Sequence, residues 1–230
     1  MARLLVHVEG STEERFVNEI LEPHLCRLGF ERVDARLLGK PRLRAGRGGI
    51  RAWSSVRKEI VNRLREDRAC LATTMVDYYG LPQHGAKAWP GRANGVGADV
   101  AQKARWVESA LAEEIRTELG DDLGRCRFVP FVTMHEFEGL LFSDCEAFGH
   151  GIGRPDLVSE FQSIRDRFPT PEDINDSVTT APSKRVRNLV PGYQKPLLGT
   201  IAVQRIGLAA IRSECPHFRA WLEQLEALPR

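Results

Sequence analysis

Leu4-Leu5-Val6-His7-Val8-Glu9-Gly10-Ser11-Thr12-Glu13-Glu14 reads as a strand, a turn and the start of a helix. Leu4, Val6 and Val8 alternate with other residues, and β-branched valine favours a strand. Gly10 can turn the chain at no steric cost. Ser11 or Thr12 is placed to cap the helix that follows. Glu9 therefore falls at the carboxyl end of an early strand, beside a helix N-terminus. Open α/β sheets bind their ligands there. A carboxylate at that point, with Glu13 and Glu14 behind it, suits a bound cation. The turn does not fit a nucleotide loop, because it has no GxGxxG and no following lysine.

The rest of the chain repeats the alternation. Val33–Leu38, Leu71–Val76 and Phe128–Thr133 are further strand candidates. Between them, 12–28, 50–67 and 98–118 carry apolar residues at helical spacing, with Pro23 expected to kink the first. This order predicts an α/β fold with a mostly parallel sheet flanked by helices. After residue 143 the pattern changes to short helices, near 155–167, 183–189, 199–213 and 216–227. The expected organisation is an α/β core over 1–144 and a helical extension over 145–230, packed on the core. The loop 79–97 is long enough to imply a role of its own.

The 230 residues include 42% apolar and 28% charged types, ordinary values for a globular protein. A formal charge of +2 says little about partners, so its distribution matters more. From Arg32 to Arg57 there are eight basic residues against Asp34 alone. Arg42, Arg44, Arg47 and Arg51 form the centre of this run and are candidate nucleic-acid contacts. The five cysteines are scattered and form no CxxC, so neither a disulfide framework nor a structural zinc site is expected. No apolar stretch has the length of a membrane span, and no secretory leader is visible. A cytoplasmic protein without membrane partners is expected; its oligomeric state stays open.

Three predicted strand ends carry acids: Glu9, Asp77, and Glu136 with Glu138. Together with Glu13, these are the candidate ligands of a hard divalent cation, which prefers oxygen donors. Such a cation stabilises phosphate charge and acidifies water. The acids also have a structural explanation, because Glu13, Glu14, Glu136 and Glu138 can serve helix starts. Tyr78 and Tyr79 offer rings for stacking or for packing under the loop. His135 is either a base or a structural hydrogen-bonding group. Lys195, in Gly192-Tyr-Gln-Lys195-Pro, is a candidate phosphate contact or a solvated surface lysine.

Several segments resemble the bacterial domain-of-unknown-function family numbered 4276. They are Val8–Glu13, Thr73–Pro82, Met134–Asp144, Ala181–Arg185 and Cys215–Leu222. That family is similar to the Toprim fold of topoisomerases, primases and overcoming-lysogenization-defect nucleases. The resemblance implies that Glu9 and Asp77 bind Mg²⁺ (or Mn²⁺), with Glu13 as the second acid of the nuclease branch. It implies Lys195 as the counterpart of a late lysine that assists cleavage. Tyr79 stands where the family pattern has a second aspartate, and Glu136 or Glu138 is the candidate replacement. A defence role against foreign DNA beside an ATPase partner is a further implication. The expected function is a divalent-metal-dependent nuclease or related phosphodiester-processing protein. A non-catalytic nucleic-acid-binding or partner-binding module and a nucleotide phosphohydrolase are the alternatives.

Overall fold

The computed structural model describes residues 2–38, 50–95, 97–120, 127–174 and 180–228. Strand β1 (Arg3–Val8) leads into α1 (Ser11–Phe16), a π turn (Val17–Leu21) and α2 (Glu22–Arg27). The N-cap position belongs to Gly10, in an extended conformation at φ −145°, so Ser11 and Thr12 lie inside the helix and do not cap it. Pro23 is accommodated by the π turn just before it. The helical run is unbroken through Pro23, and the wider π turn absorbs its ring and its missing N–H.

β2 (Arg32–Leu37), α3 (Trp53–Glu66), β3 (Cys70–Asp77) and α4 (Val100–Leu119) follow. The strand expected over 128–133 divides into β4 (Phe128–Val129) and β5 (Val132–Thr133). Pro130 has no N–H to give to a ladder. Thr74 bridges the break: its Oγ1 donates to the Phe131 carbonyl at 2.8 Å and accepts from the Phe131 N–H at 2.9 Å. The sheet order is β2-β1-β3-β4, with β5 also on β3, and every pairing is parallel.

Side chains alternate between two cores, as strand geometry requires. Leu4, Val6, Val8, Leu71 and Met75 pack with α1, α2 and the helices of the tail. Cys70, Ala72 and Val76 pack with Trp53, Ile60 and Leu64 of α3 and Val107 and Leu111 of α4. β3 is buried along its whole length. Continuous burial on both faces is why it reads as an apolar run rather than an alternating one.

The tail contains α5 (Cys145–Gly151), α6 (Val158–Arg165), α7 (Pro182–Leu189), α8 (Thr200–Glu214) and α9 (Pro216–Glu226). α5 was not anticipated. Its sequence signal is Asp144, whose carboxylate accepts from the Ala147 N–H at 2.8 Å. The tail covers the α1 face of the sheet and shares its core. Trp221 of α9 stacks on Phe131 with ring centroids 4.3 Å apart. Its indole N–H donates to Thr73 Oγ1 at 2.9 Å, and that hydroxyl donates to the Val129 carbonyl at 2.5 Å. Among the described residues, no helix is long and apolar enough to cross a membrane.

Thr73→Val keeps the side-chain shape and leaves the Trp221 N–H and the Val129 carbonyl without this partner. It is expected to lower stability by about 1–3 kcal/mol, read from the urea midpoint. A change below about 0.5 kcal/mol would show that this bond does not fasten the tail to the sheet.

Candidate functional site

The chain leaves β1 for β2 on one side and returns to place β3 on the other, so the strand order reverses between β1 and β3. The crevice beyond the carboxyl ends of two such strands is the usual ligand site of an open α/β sheet. Val8 pairs with Met75, so Glu9 just after β1 and Asp77 at the end of β3 emerge at the same edge. Glu13 reaches this edge from the first turn of α1 and is buried.

Two glycines make room for these acids. A Cβ on Gly10 would stand 3.0 Å from Glu13 Oε2. A Cβ on Gly80 would stand 3.2 and 3.3 Å from the two carboxylate oxygens of Glu9. Gly80 closes the 3₁₀ turn Tyr78–Gly80, so the residue after Tyr79 forms a wall of the Glu9 site.

Glu138 supplies a further carboxylate from the 3₁₀ helix Phe137–Ser143 and is 0% exposed. The chain enters that helix through His135, whose φ of 61° lies in the left-handed region. For a residue with a Cβ, this strain is of order 1–2 kcal/mol. Local bonds hold the turn in place. The Tyr79 N–H donates to the His135 carbonyl at 3.0 Å, and the Phe137 N–H donates to Asp77 Oδ1 at 2.9 Å. His135 itself is buried, edge-on to Tyr78.

Lys195 begins a π turn, Lys195–Gly199, that leads into α8. Its Nζ lies 2.9 Å from Glu138 Oε2, 3.2 Å from Asp77 Oδ2 and 3.6 Å from Glu13 Oε1. Glu9, Glu13, Asp77, Glu138 and Lys195 are thus brought together. Glu136 has another partner: its Oε2 accepts from the Ser183 N–H at 2.8 Å, at the start of α7. That N–H has no partner within its own helix, so the carboxylate completes the helix end.

The arginine run behaves differently. Arg42, Arg44 and Arg47 lie outside the described residues. Arg51 is 2.8 Å from Glu59, which also holds Arg36 at 2.7 Å. Arg57 pairs with Glu114 at 2.8 Å and Glu118 at 3.1 Å, and Arg32 with Asp34 at 2.7 Å. The described part of the run is therefore balanced by acids, most of them from α3 and α4.

Burial and mutual repulsion shape the acids of the site. Burial, reinforced by the Glu13 charge, pushes the Glu9 carboxyl up to about 7. Burial holds Asp77 well above the ordinary carboxylate range, with Lys195 opposing and the Glu13, Glu9 and Glu138 charges adding to it. Glu138 is raised by burial, against the pull of Lys195. For Lys195, burial favours the neutral amine, but Asp77, Glu138 and Glu13 outweigh it and keep the ammonium charged. Buried Glu9 Oε2 and Glu138 Oε1 have no hydrogen-bond partner. Carboxylate oxygens are the donor type that hard divalent cations prefer. Among the described residues, no group of three or more acids, histidines or cysteines stands ready to hold a metal ion. The Lys195 ammonium lies between the carboxylates of Glu13, Asp77 and Glu138.

A family model described as "Domain of unknown function (DUF4276)" matches residues 8–226. The chain belongs to the DUF4276 family. All five convergent residues fall within the match. No curated protein and no solved structure gives a significant match.

The raised carboxyls make stability depend on pH. Below the unfolded value of 4.5, Glu9 is protonated in both states. As pH rises towards 7, the unfolded chain ionises first and the folded state loses stability, by about 3 kcal/mol for Glu9. Asp77 and Glu138 act in the same direction. Metal-free protein is therefore expected to weaken between about pH 5 and 7.5. Glu9→Gln should flatten that slope and be more stable than wild type at pH 8. Urea midpoints in chelator at both pH values check this, and an unchanged slope in the variant would contradict it.

Proposed function

We propose that this protein is a divalent-metal-dependent nuclease or related phosphodiester-processing enzyme of Toprim-like character. The observation that carries the reading is the convergence of Glu13, Asp77 and Glu138 on Lys195, with Glu9 lining the same cleft at the carboxyl edge of β1 and β3. Asp77 and Lys195 are 118 residues apart, and no helix start or strand end requires their meeting. The resemblance to Toprim enzymes supports the same reading, with Glu9 and Asp77 at the matching positions.

Glu9, Glu13 and Asp77 would hold the cation. A bound divalent ion supplies charge stabilisation to a phosphate and acidifies the attacking water. Lys195 keeps its proton and presents a fixed positive charge to the phosphate oxygens. Gly10 and Gly80 keep the Glu13 and Glu9 carboxylates close against the backbone. The cleft lined by Glu9, Glu13, Asp77 and Lys195 measures about 260 Å³. Pockets that enclose a whole small ligand run to about 300–1,000 Å³. A cleft of this size admits one phosphodiester group of a polymer. Tyr79, 40% exposed beside Asp77, offers a ring for an adjacent base.

Purified protein incubated with single- and double-stranded DNA and RNA is expected to cleave at least one of them, only with Mg²⁺ or Mn²⁺. Asp77→Asn should lower the rate by about 100-fold or more, the scale of removing a group that stabilises transition-state charge. A Glu9→Gln, Asp77→Asn double variant that cuts at the wild-type rate would overturn the reading. Tyr79, at the position of the missing aspartate, favours a second reading as a binding module. Nucleic-acid binding without cleavage under any divalent ion would support that one instead.

A further inference from the structure

Helix α7 is tied to the cleft at both ends. Its Ser183 N–H is held by Glu136, two residues before Glu138. Pro182 packs on the same segment, where a Cβ on Gly139 would stand 3.9 Å from Pro182 Cγ. From Leu189 the chain passes through Gly192, Tyr193 and Gln194 and arrives at Lys195. The charges of Glu138, Lys195 and Arg187 all act on the buried Tyr193 hydroxyl, so Arg187 is within electrostatic reach of the inner site.

This helix carries three cations and no acid. It docks through Pro182, Ser183 and Val186, which are buried, and leaves Lys184, Arg187 and Asn188 exposed. Residues three apart are neighbours on a helix surface, so Lys184 and Arg187 stand side by side. Arg185 is engaged elsewhere: its Nε donates to the Thr180 carbonyl at 2.8 Å, and its guanidinium lies over the Phe168 ring at 5.2 Å. Among the described residues, neither Lys184 nor Arg187 makes an ion pair. Arg32, Arg36, Arg51 and Arg57 differ, because each is matched by an acid.

We propose that the exposed face of α7 binds the phosphodiester backbone of a nucleic acid, with Lys184 and Arg187 contacting phosphates of a strand that leads to the Lys195 cleft. The inference rests on the phosphodiester reading above and supplies its binding surface. The cleft is lined by the carboxyl groups of Glu9, Glu13 and Asp77 against the one ammonium of Lys195. Such an acidic cleft is a poor grip on a polyanion, so the attraction has to come from cations beside it. Lys184 and Arg187 carry charge that no acid among the described residues already answers. Contacts of this kind hold and orient a strand without reading its bases.

The test is fluorescence anisotropy of the full chain with labelled single-stranded and duplex DNA and RNA, over a range of salt concentrations. Chelator, or Ca²⁺ in place of Mg²⁺, keeps the strands intact. A Lys184→Ala, Arg187→Ala double variant is expected to bind about 10-fold more weakly or worse at low salt. Its log–log salt slope on duplex should be smaller by about 2, one for each phosphate contact removed. An Arg32→Ala, Arg36→Ala double variant loses the same formal charge and should keep the wild-type affinity and slope. Circular dichroism checks folding, and a Lys184→Gln, Arg187→Gln pair gives the same readout if the alanine pair does not fold. Wild-type affinity in the folded α7 variant, or an equal loss in both double variants, would overturn the proposal. Wild type that binds neither DNA nor RNA in either condition would overturn the phosphodiester reading itself, whereas binding that α7 does not influence overturns this inference alone.

Discussion

The Lys195 ammonium, within 3.6 Å of Glu13, Asp77 and Glu138, is the interaction on which the rest of the arrangement depends. Bringing these carboxylates out of water is costly, and their mutual repulsion adds to the cost. A charge of the opposite sign, placed among them, is what makes their burial tolerable. That charge comes from the tail, while the acids come from α1, the end of β3 and the Phe137–Ser143 helix. The tail therefore serves both as a cover for one sheet face and as part of the site.

Docking of the tail follows the same rule of satisfying buried polar groups. The Trp221 N–H finds Thr73 Oγ1 inside the shared core. Glu172 accepts from the His217 and Phe218 N–H groups at 2.8 and 2.9 Å, completing the first turn of α9. Glu136 does the same for α7 through Ser183. Each bond satisfies a donor that burial would otherwise leave unpaired. Glu136 and Glu138 are two residues apart, yet one serves a helix end and the other the charged cluster. The 3₁₀ helix that starts between them sends their side chains to different neighbours.

The parallel order of strands and helices was legible because period-two and helical patterns are local. Where reading failed, a local exception intervened. Pro130 divided an expected strand, and Gly10 took the cap position expected of Ser11 or Thr12. The arginine run illustrates a different limit. Seen along the chain, Arg32 to Arg57 faces only Asp34. In three dimensions Glu59, Glu114 and Glu118 balance Arg36, Arg51 and Arg57. Charge summed over a segment misses partners that lie on the opposite faces of packed helices.

By itself, the sequence determined the α/β class, the carboxylates at the ends of β1 and β3, and the turn that places Glu13 one helical step behind Glu9. These follow from side-chain periodicity, turn chemistry and strand-end position, which act within about ten residues of chain. The tertiary structure alone decided which acids meet, that Glu138 rather than Glu136 joins them, that Gly80 leaves room for Glu9, and that Lys195 stands at their centre. The physical reason is that a buried charge is matched by whatever opposite charge the packing brings within a few ångströms, and nothing local in the chain records that distance.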